Sequence, residues 1–462
     1  MFATILDIIN WCLIALLSIS VVLLIYKIFY HVYGLMPAVK FPEAKKNHRF
    51  AVLIPARYES SVIEGILKSL QEQDYPKELI DAYVIVESPD DPTIEICKKY
   101  ENVTPFVRPD LKVKSKGGAL DHILKHLINT GIAKEKGYEA YFIFDADNTL
   151  KSNFFTEMNK TFDAGYELAI SYRNAKNWND GWISSCSALT FSMVNTFQNK
   201  CRARFNQNVL VSGTGFYIAA RVLHELGGWP FQTLTEDAEI SNYAVLNGIK
   251  GAYNENTEHF DEQPLSLKVS WNQRIRWIKG HMQVTKKYSK QLLKSSLYSK
   301  ENRFGRFEFG LSIIPIAIPL ATIIIYCLLT LIMGIVGASI GVDAVLWQKA
   351  FKNFGFAILG IYVFLMCYTA AMVIAEYVHH KINLKPWNAV KTIILNPLFM
   401  GTWLPIALVA ILKKEVTWKR IDRKADSINK TNYSNLIVSS ETTDKPKTEE
   451  LSKTLDAEFI KK

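Results

Sequence analysis

Four short runs hold the side chains with the clearest chemical potential. Asp145-Ala146-Asp147 follows the apolar run Ala140-Tyr-Phe-Ile-Phe144, so two carboxylates one residue apart stand at the end of a candidate buried strand. Such a pair can hold a hard divalent cation, which in turn bridges two phosphate oxygens; a solvated turn uses the same residue types. Thr235-Glu236-Asp237 follows a Gly-Gly-Trp-Pro turn and opens the helical stretch AEISNYAVLNG. Either Thr235 caps a helix whose first turn favours acidic residues, or Asp237 is a general base that deprotonates an acceptor hydroxyl as it attacks a sugar carbon. Gln273-Arg274-Ile275-Arg276-Trp277 lies within SWNQRIRWIKGHMQV. It reads as an amphipathic helix on a membrane surface, or as Arg276 neutralising a diphosphate while Trp277 forms a platform under a sugar ring. Lys114, Lys116, Gly117 and Gly118 form a basic, flexible loop, suited to phosphate oxygens or to a plain surface turn.

These residues need a scaffold, and the apolar runs supply one. Phe50–Ile54 ends at Pro55, a helix-like pattern follows over 60–71, then come strand-like runs at 82–86, 103–107 and 140–144 separated by helical patterns near 93–100 and 117–130. Strands that are apolar throughout and alternate with helices indicate a largely parallel sheet covered on both faces. Ligands of such sheets lie at the carboxyl ends of the strands, which singles out 55–59, 87–91, 114–118 and 145–147.

Although 21% of the 462 residues are charged, the mean hydropathy is +0.05. Strongly apolar segments must offset the charges, which excludes a plain cytosolic enzyme and, at 49% hydrophobic residues, a disordered chain. Residues 8–25 carry no charge and reach the length of a bilayer span with their flanks. No Lys or Arg precedes Lys27, whereas Lys27, Lys40, Lys45, Lys46 and Arg49 follow, so the positive-inside bias puts the next domain in the cytosol. Residues 311–342 and 354–378 read as spans joined by an outer loop at 343–353. Segment 392–412, interrupted by Asn396-Pro397 and Pro405, reads as broken and partly re-entrant, which leaves the basic start of the tail inside. The expected organisation is an anchor at 1–30, a cytosolic domain at 45–285 with interfacial helices to about 310, these three membrane segments, and a basic then flexible tail at 413–462. A net charge of +10 points to an anionic partner, whether nucleic acid, an anionic lipid surface or a phosphorylated substrate, and the clustering of basic residues beside the apolar segments argues against nucleic acid. Cys12, Cys97, Cys186, Cys201, Cys327 and Cys367 have no CxxC spacing and read as reduced packing residues.

In order and spacing, IPARYES, KGGALD, FDADN, GTGFYIAAR, TED and QRIRW resemble membrane-bound family 2 glycosyltransferases of the cellulose, chitin, hyaluronan and poly-N-acetylglucosamine synthase type. The likeness covers about residues 50–285, and QRIRW, matching Q-x-x-R-W, is its most specific piece. It implies a GT-A fold, an α/β domain with a doubly wound, mainly parallel sheet, flanked by N- and C-terminal transmembrane helices. The implied donor is a nucleotide sugar, UDP-glucose or UDP-N-acetylglucosamine, with Mg2+ or Mn2+ as cofactor. By the same resemblance Pro55, Ala56 and Glu59 line the uridine, with Glu59 on the ribose, while Lys116 and Gly118 border the nucleotide. Asp145 and Asp147 bind nucleotide and metal. Asp237, with Glu236 beside it, is the catalytic base, and Gln273, Arg276 and Trp277 hold the diphosphate and the acceptor end. A single displacement then inverts the anomeric carbon. The implied protein is a multi-pass enzyme of the cell membrane with a cytosolic catalytic domain, a processive β-glycosyltransferase elongating a cell-surface polysaccharide. A single-step transferase that loads a sugar onto a polyprenyl phosphate or another lipid acceptor is the alternative. Expected partners are the donor, a growing glycan or lipid acceptor and membrane lipids, with no nucleic acid.

Two positions depart from the pattern. At the end of the second strand, where the family usually has Asp, stands Glu87, followed by Ser88, Pro89, Asp90 and Asp91. Either Glu87 reaches the uracil with one methylene more, or Asp90 or Asp91 takes the role. Asp121 stands where Asn is common. Three or four hydrophobic segments are also few for a secretion channel. Extrusion of a polymer would need a second copy or an accessory export protein, unless the product stays short or lipid-bound.

Overall fold

A computed structural model of the chain describes residues 1–311, 314–379 and 381–413, with backbone only at 20–28 and 314–320. The tail expected from 413 onward falls, after Lys413, outside the described residues. Eight strands build one sheet: β1 (Phe50–Pro55), β2 (Ile80–Val86), β3 (Val103–Val107), β4 (Ala140–Ile143), β5 (Thr149–Leu150), β6 (Leu168–Ala175), β7 (Phe216–Ala219) and β8 (Gly251–Asp261). Around them lie α2 (Ile63–Gln71), α3 (Thr93–Cys97), α4 (Lys116–Asn129), α5 (Ile132–Lys136), α6 (Phe154–Asp163), α7 (Trp182–Val194), α8 (Lys200–Arg204), α9 (Ala220–Glu225) and α10 (Glu236–Asn247). Preceding them is α1 (Phe2–Gly34). After them come α11 (Leu267–Tyr298), α12 (Arg303–Leu311), α13 (Ile314–Ser339), α14 (Ala344–Val378), α15 (Pro386–Gly401) and α16 (Trp403–Leu412).

The order β3-β2-β1-β4-β7-β6-β8-β5 shows a mixed sheet. Its first four strands are parallel, as the apolar runs indicate, but β7 enters antiparallel between β4 and β6. Because β6 reverses again and β8 runs with it, strands β1, β2, β3, β4, β6 and β8 all end at the same edge. Alternation along β1 sends Ala51 and Leu53 to one face, where Leu120 and Ile123 of α4 and Ile240 of α10 cover them. Phe50, Val52 and Ile54 face the other way, onto Ile66 of α2 and Phe155 of α6. Two dry layers thereby fix the carboxyl edge of the sheet, and with it the loops that end the strands.

Among the described residues, four helical segments are long and apolar enough to cross a membrane: Phe2–Ile19 within α1, Ala321–Ser339 within α13, α14, and the run Pro386–Leu412. At one end of the first three, Asn10 accepts from Tyr326 at 2.8 Å and Asp7 pairs with Lys349 at 3.3 Å. The other end meets the sheet domain: Tyr30 donates to Glu308 at 2.8 Å, and Glu376 accepts from Tyr172 and Thr196, each at 2.6 Å. The loop expected at 343–353 is helical instead. Asp343 caps α14 by accepting from Val345 N at 2.8 Å, and the polar run after it forms the first turns. In the last segment Pro397 sits inside α15, and the break falls at Thr402. Pro405 has no N–H to give to the carbonyl of Gly401, so the ladder stops there and α16 starts afresh. This second helix lies along α11, with Ile406 and Ala410 packed on Ile275. All six cysteines carry free thiols.

Candidate functional site at the carboxyl edge of the sheet

The lysine of KGGALD stands on a helix. Lys116 is the first residue of α4, which Ser115 caps by accepting from Gly118 N at 3.0 Å. Its glycines provide close approach where flexibility was expected. A Cβ on Gly117 would lie 2.4 Å from the Phe231 carbonyl oxygen, and one on Gly118 would lie 2.6 Å from that of Val113. Anchored in this way, Lys116 Nζ donates to Asp145 Oδ1 at 2.5 Å and to the Gly213 carbonyl at 2.7 Å. Burial works against its charge, but the carboxylates of Asp145, Glu236 and Asp237 outweigh it and hold the lysine above its usual pKa. Asp145 is fixed in turn by its backbone N–H, which donates to Thr214 Oγ1 at 3.0 Å. That threonine precedes β7, the antiparallel strand, so the strand absent from the sequence reading is the one that braces the acidic pair.

Thr235 does not cap α10. Its hydroxyl is buried without a hydrogen-bond partner among the described residues, because α11 presses on it at Gly280, where a Cβ would lie 2.5 Å from Thr235 Oγ1 and 2.8 Å from its backbone nitrogen. Glu239, fully buried, tethers the approach instead, accepting from Thr233 N at 2.9 Å and from Lys287 Nζ at 2.5 Å. Gly280→Ala is therefore expected to displace Glu236 and Asp237, destabilise the chain by about 1–3 kcal/mol and cut turnover more than tenfold. Thermal unfolding alongside steady-state rates tests this, and a wild-type rate in the variant would refute the packing argument.

Glu236 and Asp237 lie together at this edge. Burial and the neighbouring Asp237 push the Glu236 carboxyl up to about 7, against the opposing charges of Lys116 and Arg276. That influence brings Arg276 of α11 into the same site. The raised value means that Glu236 favours the folded chain at acid pH, a contribution lost as pH rises through 7. Its charge also appears over this range, beside the position where phosphates would bind. The affinity for an anionic donor should consequently fall several-fold between pH 6 and 8 in wild type and stay flat in Glu236→Gln, as donor KM against pH will show. On the same helix as Arg276, the His281 imidazole is lowered by burial, partly offset by Asp237.

Asp147 is 4% exposed and accepts from Asn148 Nδ2 at 3.4 Å, while the Asp145 side chain is about two-fifths exposed. Among the described residues no three His, Cys, Asp or Glu side chains converge as a cage. Two hard oxygen donors at an open edge fit a Mg2+ or Mn2+ ion that takes its remaining ligands from water and phosphate. Sequence reasoning missed three neighbours. His259 of β8 is fully buried; Nδ1 lies 2.7 Å from Ser171 Oγ, and Nε2 has no partner among the described residues. Its ring occupies the space where a side chain on Gly215 would stand, 2.0 Å from an ideal Cβ, and Gly215 also has φ +70°. Arg173 of β6 grips Asp261 of β8, with Arg173 Nε 2.9 Å from Asp261 Oδ2, and stacks over Phe191 at 3.6 Å. No residue motif marked these three. Only the pairing of β6 with β8 brings them to the edge.

The expected nucleoside residues lie at the ends of β1 and β2. Pro55 and Ala56 leave β1, with Ala56 N donating to Ile85 O at 2.8 Å, and Glu59 is half-buried in the turn that follows. Glu87 sits between Arg57 (2.7 Å) and Arg108 (3.5 Å). Asp91 is buried as a turn-former, accepting from Tyr58 N at 2.8 Å and Thr93 N at 2.9 Å, whereas Asp90 is exposed. Asp121 accepts from Trp229 N at 3.0 Å and pairs with Lys125, so it serves the turn before TED. Gln273, Arg276 and Trp277 occupy one side of α11 at helical spacing, and Trp277 packs edge-on against Phe191 at 5.7 Å.

A mixed sheet whose carboxyl edge gathers a D-x-D pair, a buried glutamate with an aspartate beside it and a lysine defines a GT-A type transferase. Residues 48–280 match the family described as "Glycosyltransferase like family 2", and the chain belongs to that family. Among curated relatives, the probable glycosyltransferase YdaM of Bacillus subtilis (strain 168) is 26% identical over 319 residues, 63% of this chain and 71% of that one. Beta-monoglucosyldiacylglycerol synthase of Nostoc sp. is 23% identical over 258 residues, 54% of this chain and 53% of that one. Glucomannan 4-beta-mannosyltransferase 7 of Arabidopsis thaliana is 25% identical over 291 residues, 60% and 50% respectively. The chain thus spans about half the length of the latter two. Among solved structures, mannosyltransferase PcManGT from Pyrobaculum calidifontis, in complex with GDP-Man and Mn2+, aligns with a TM-score of 0.49 at 14% identity, covering 87% of this chain and 99% of that one.

Proposed function

We propose that the chain is a membrane-embedded glycosyltransferase that moves a sugar from a nucleotide diphosphate donor to an acceptor hydroxyl in one inverting displacement. The observation that carries this reading is the bond of a single lysine, Lys116, to Asp145 of the first acidic motif, at a place where the charges of Glu236 and Asp237 of the second also act on it. Asp237 takes the proton of the acceptor hydroxyl as its oxygen bonds to the anomeric carbon. The bond from that carbon to the diphosphate breaks, and the nucleoside diphosphate leaves with the electron pair. Lys116 and Arg276 meet the charge that develops on it. Pro55, Ala56, Glu59, Glu87 and Gly118 border the nucleoside, and Gln273 and Trp277 hold the acceptor end. Mg2+ or Mn2+ on Asp145 and Asp147 would supply charge neutralisation of the diphosphate.

The reading extends to topology: α1, α13 and α14 cross the bilayer, while 386–412 enters without crossing, so that the catalytic domain and the start of the tail share the cytosolic side. Packing of α16 on α11 supports this, as do the basic residues around Lys413. The product is a β-linked cell-surface glycan, in keeping with the Q-x-x-R-W motif. A second reading, transfer to a lipid acceptor, is favoured by the low number of spans and by a relative named as a monoglucosyldiacylglycerol synthase. Full-length protein in nanodiscs, given UDP-glucose, UDP-N-acetylglucosamine or GDP-mannose with Mn2+, is expected to release nucleotide from one of the three and to stop on chelation. Products of many sugars support the first reading and single additions the second, whereas no release from any donor would reject both.

A further inference from the structure

Arg274, which no role in the motif claims, is the best-buried side chain of QRIRW at 1% exposure. It has no carboxylate partner among the described residues. Its Nη1 donates to Thr402 Oγ1 at 2.7 Å and to the Phe399 carbonyl at 3.3 Å, groups at the break between α15 and α16. The guanidinium also lies over the Phe399 ring at 4.1 Å and the Trp403 ring at 5.2 Å. Burying an uncompensated cation is costly, and here it pins the broken membrane segment to the helix that carries Trp277. A second pin lies five residues on, where Lys279 Nζ donates to the Lys413 carbonyl at 2.6 Å. The residue so placed is Trp403. Its ring stacks with Trp277 at 6.4 Å and 27°, and Trp277 in turn meets Phe191. A tryptophan buried for packing usually finds an acceptor for its N–H, yet Trp403 Nε1 has none among the described residues. What is matched is the ring face, and both indoles are partly exposed.

We infer that Trp403 is an acceptor-positioning residue, which with Trp277 forms a two-indole platform for the sugar ring of an acceptor arriving along α16. This rests on the reading of the chain as a glycosyltransferase. Apolar faces of a pyranose lie on aromatic rings, and a platform of two rings reaching from α11 into segment 386–412 would seat the sugar of a soluble glycan or of a glycolipid alike. The test uses full-length protein in nanodiscs with the donor it accepts, cellotetraose or octyl β-D-glucopyranoside as acceptor, and nucleotide release without acceptor as the donor-side readout. Trp403→Ala is expected to raise acceptor KM about tenfold while kcat and acceptor-free release hold, and Trp403→Phe should recover most of the loss. A larger shift for the octyl glucoside assigns the platform to lipid-borne acceptors, and a larger shift for cellotetraose to glycans. An unchanged acceptor KM, or a fall in acceptor-free release that parallels the loss of transfer in both variants, would overturn the inference. A wild-type chain inert toward every donor would instead overturn the functional reading beneath it.

Discussion

Asp237→Asn is expected to lower sugar transfer by about 10³-fold, within the range that a positioned base contributes, and to leave the fold intact. The change is nearly isosteric. Asp237 Oδ1 accepts from its own neighbour, Ala238 N, at 2.8 Å, a bond that an amide oxygen keeps. Removal of the charge also relieves Glu236, whose carboxyl is pushed up partly by Asp237. Donor KM should therefore change little or improve while kcat collapses, the pattern of an interaction made only as the acceptor is deprotonated. If the purified variant transferred sugar at even a tenth of the wild-type rate, Asp237 would not be the base.

Lys116→Met carries the second large effect, a loss of about 10²–10³ in kcat/KM. This lysine hydrogen-bonds both Asp145 and the loop before β7, the latter through the Gly213 carbonyl. Without it Asp145, Glu236 and Asp237 repel one another, and the departing diphosphate loses a cation. Because the acidic neighbours hold Lys116 above its usual pKa, it stays charged near neutral pH, so the defect should persist at every pH there, modulated only by Glu236, which loses an opposing charge. Glu236→Gln predicts the opposite signature, a change in pH dependence with a smaller change in rate. Rates for both variants at several pH values separate the two roles, and a Lys116→Met defect of less than tenfold throughout would show that the lysine does not carry the role assigned to it.

The parts of this site that were legible in the sequence were those where short-range signals coincide. Asp145 and Asp147 follow an apolar strand, TED opens a helix after a Gly-Gly-Trp-Pro turn, and QRIRW sits on a helical period. Less legible was anything decided by long-range pairing. Nothing local marks Phe216–Ala219 as an antiparallel insert, yet that strand brings Thr214 to Asp145 and Gly215 to His259. Gly117 and Gly118 suggest flexibility until the Phe231 and Val113 carbonyls are seen against them. The Thr235 cap failed for a similar reason, since packing of Gly280 took the space. At 343–353, hydropathy favoured a loop over a real cap signal at Asp343, because Lys349 and Asn353 look soluble until Asp7 and Asn10 are placed beside them. Glu87 illustrates the limit for substrate choice. Its position at the end of β2 was expected, but two arginines from separate loops shape its surroundings, and no spacing rule encodes them.

The most direct test of a single displacement assisted by Asp237 is the configuration of the bond it makes. Full-length protein, supplied with the α-linked nucleotide sugar it accepts and with cellotetraose, yields a product whose new anomeric centre NMR can assign. A β linkage in wild type, with none detectable in Asp237→Asn, is the predicted result. An α linkage would contradict the account, since retention requires two displacements or a front-face route and leaves Asp237 without the role assigned to it.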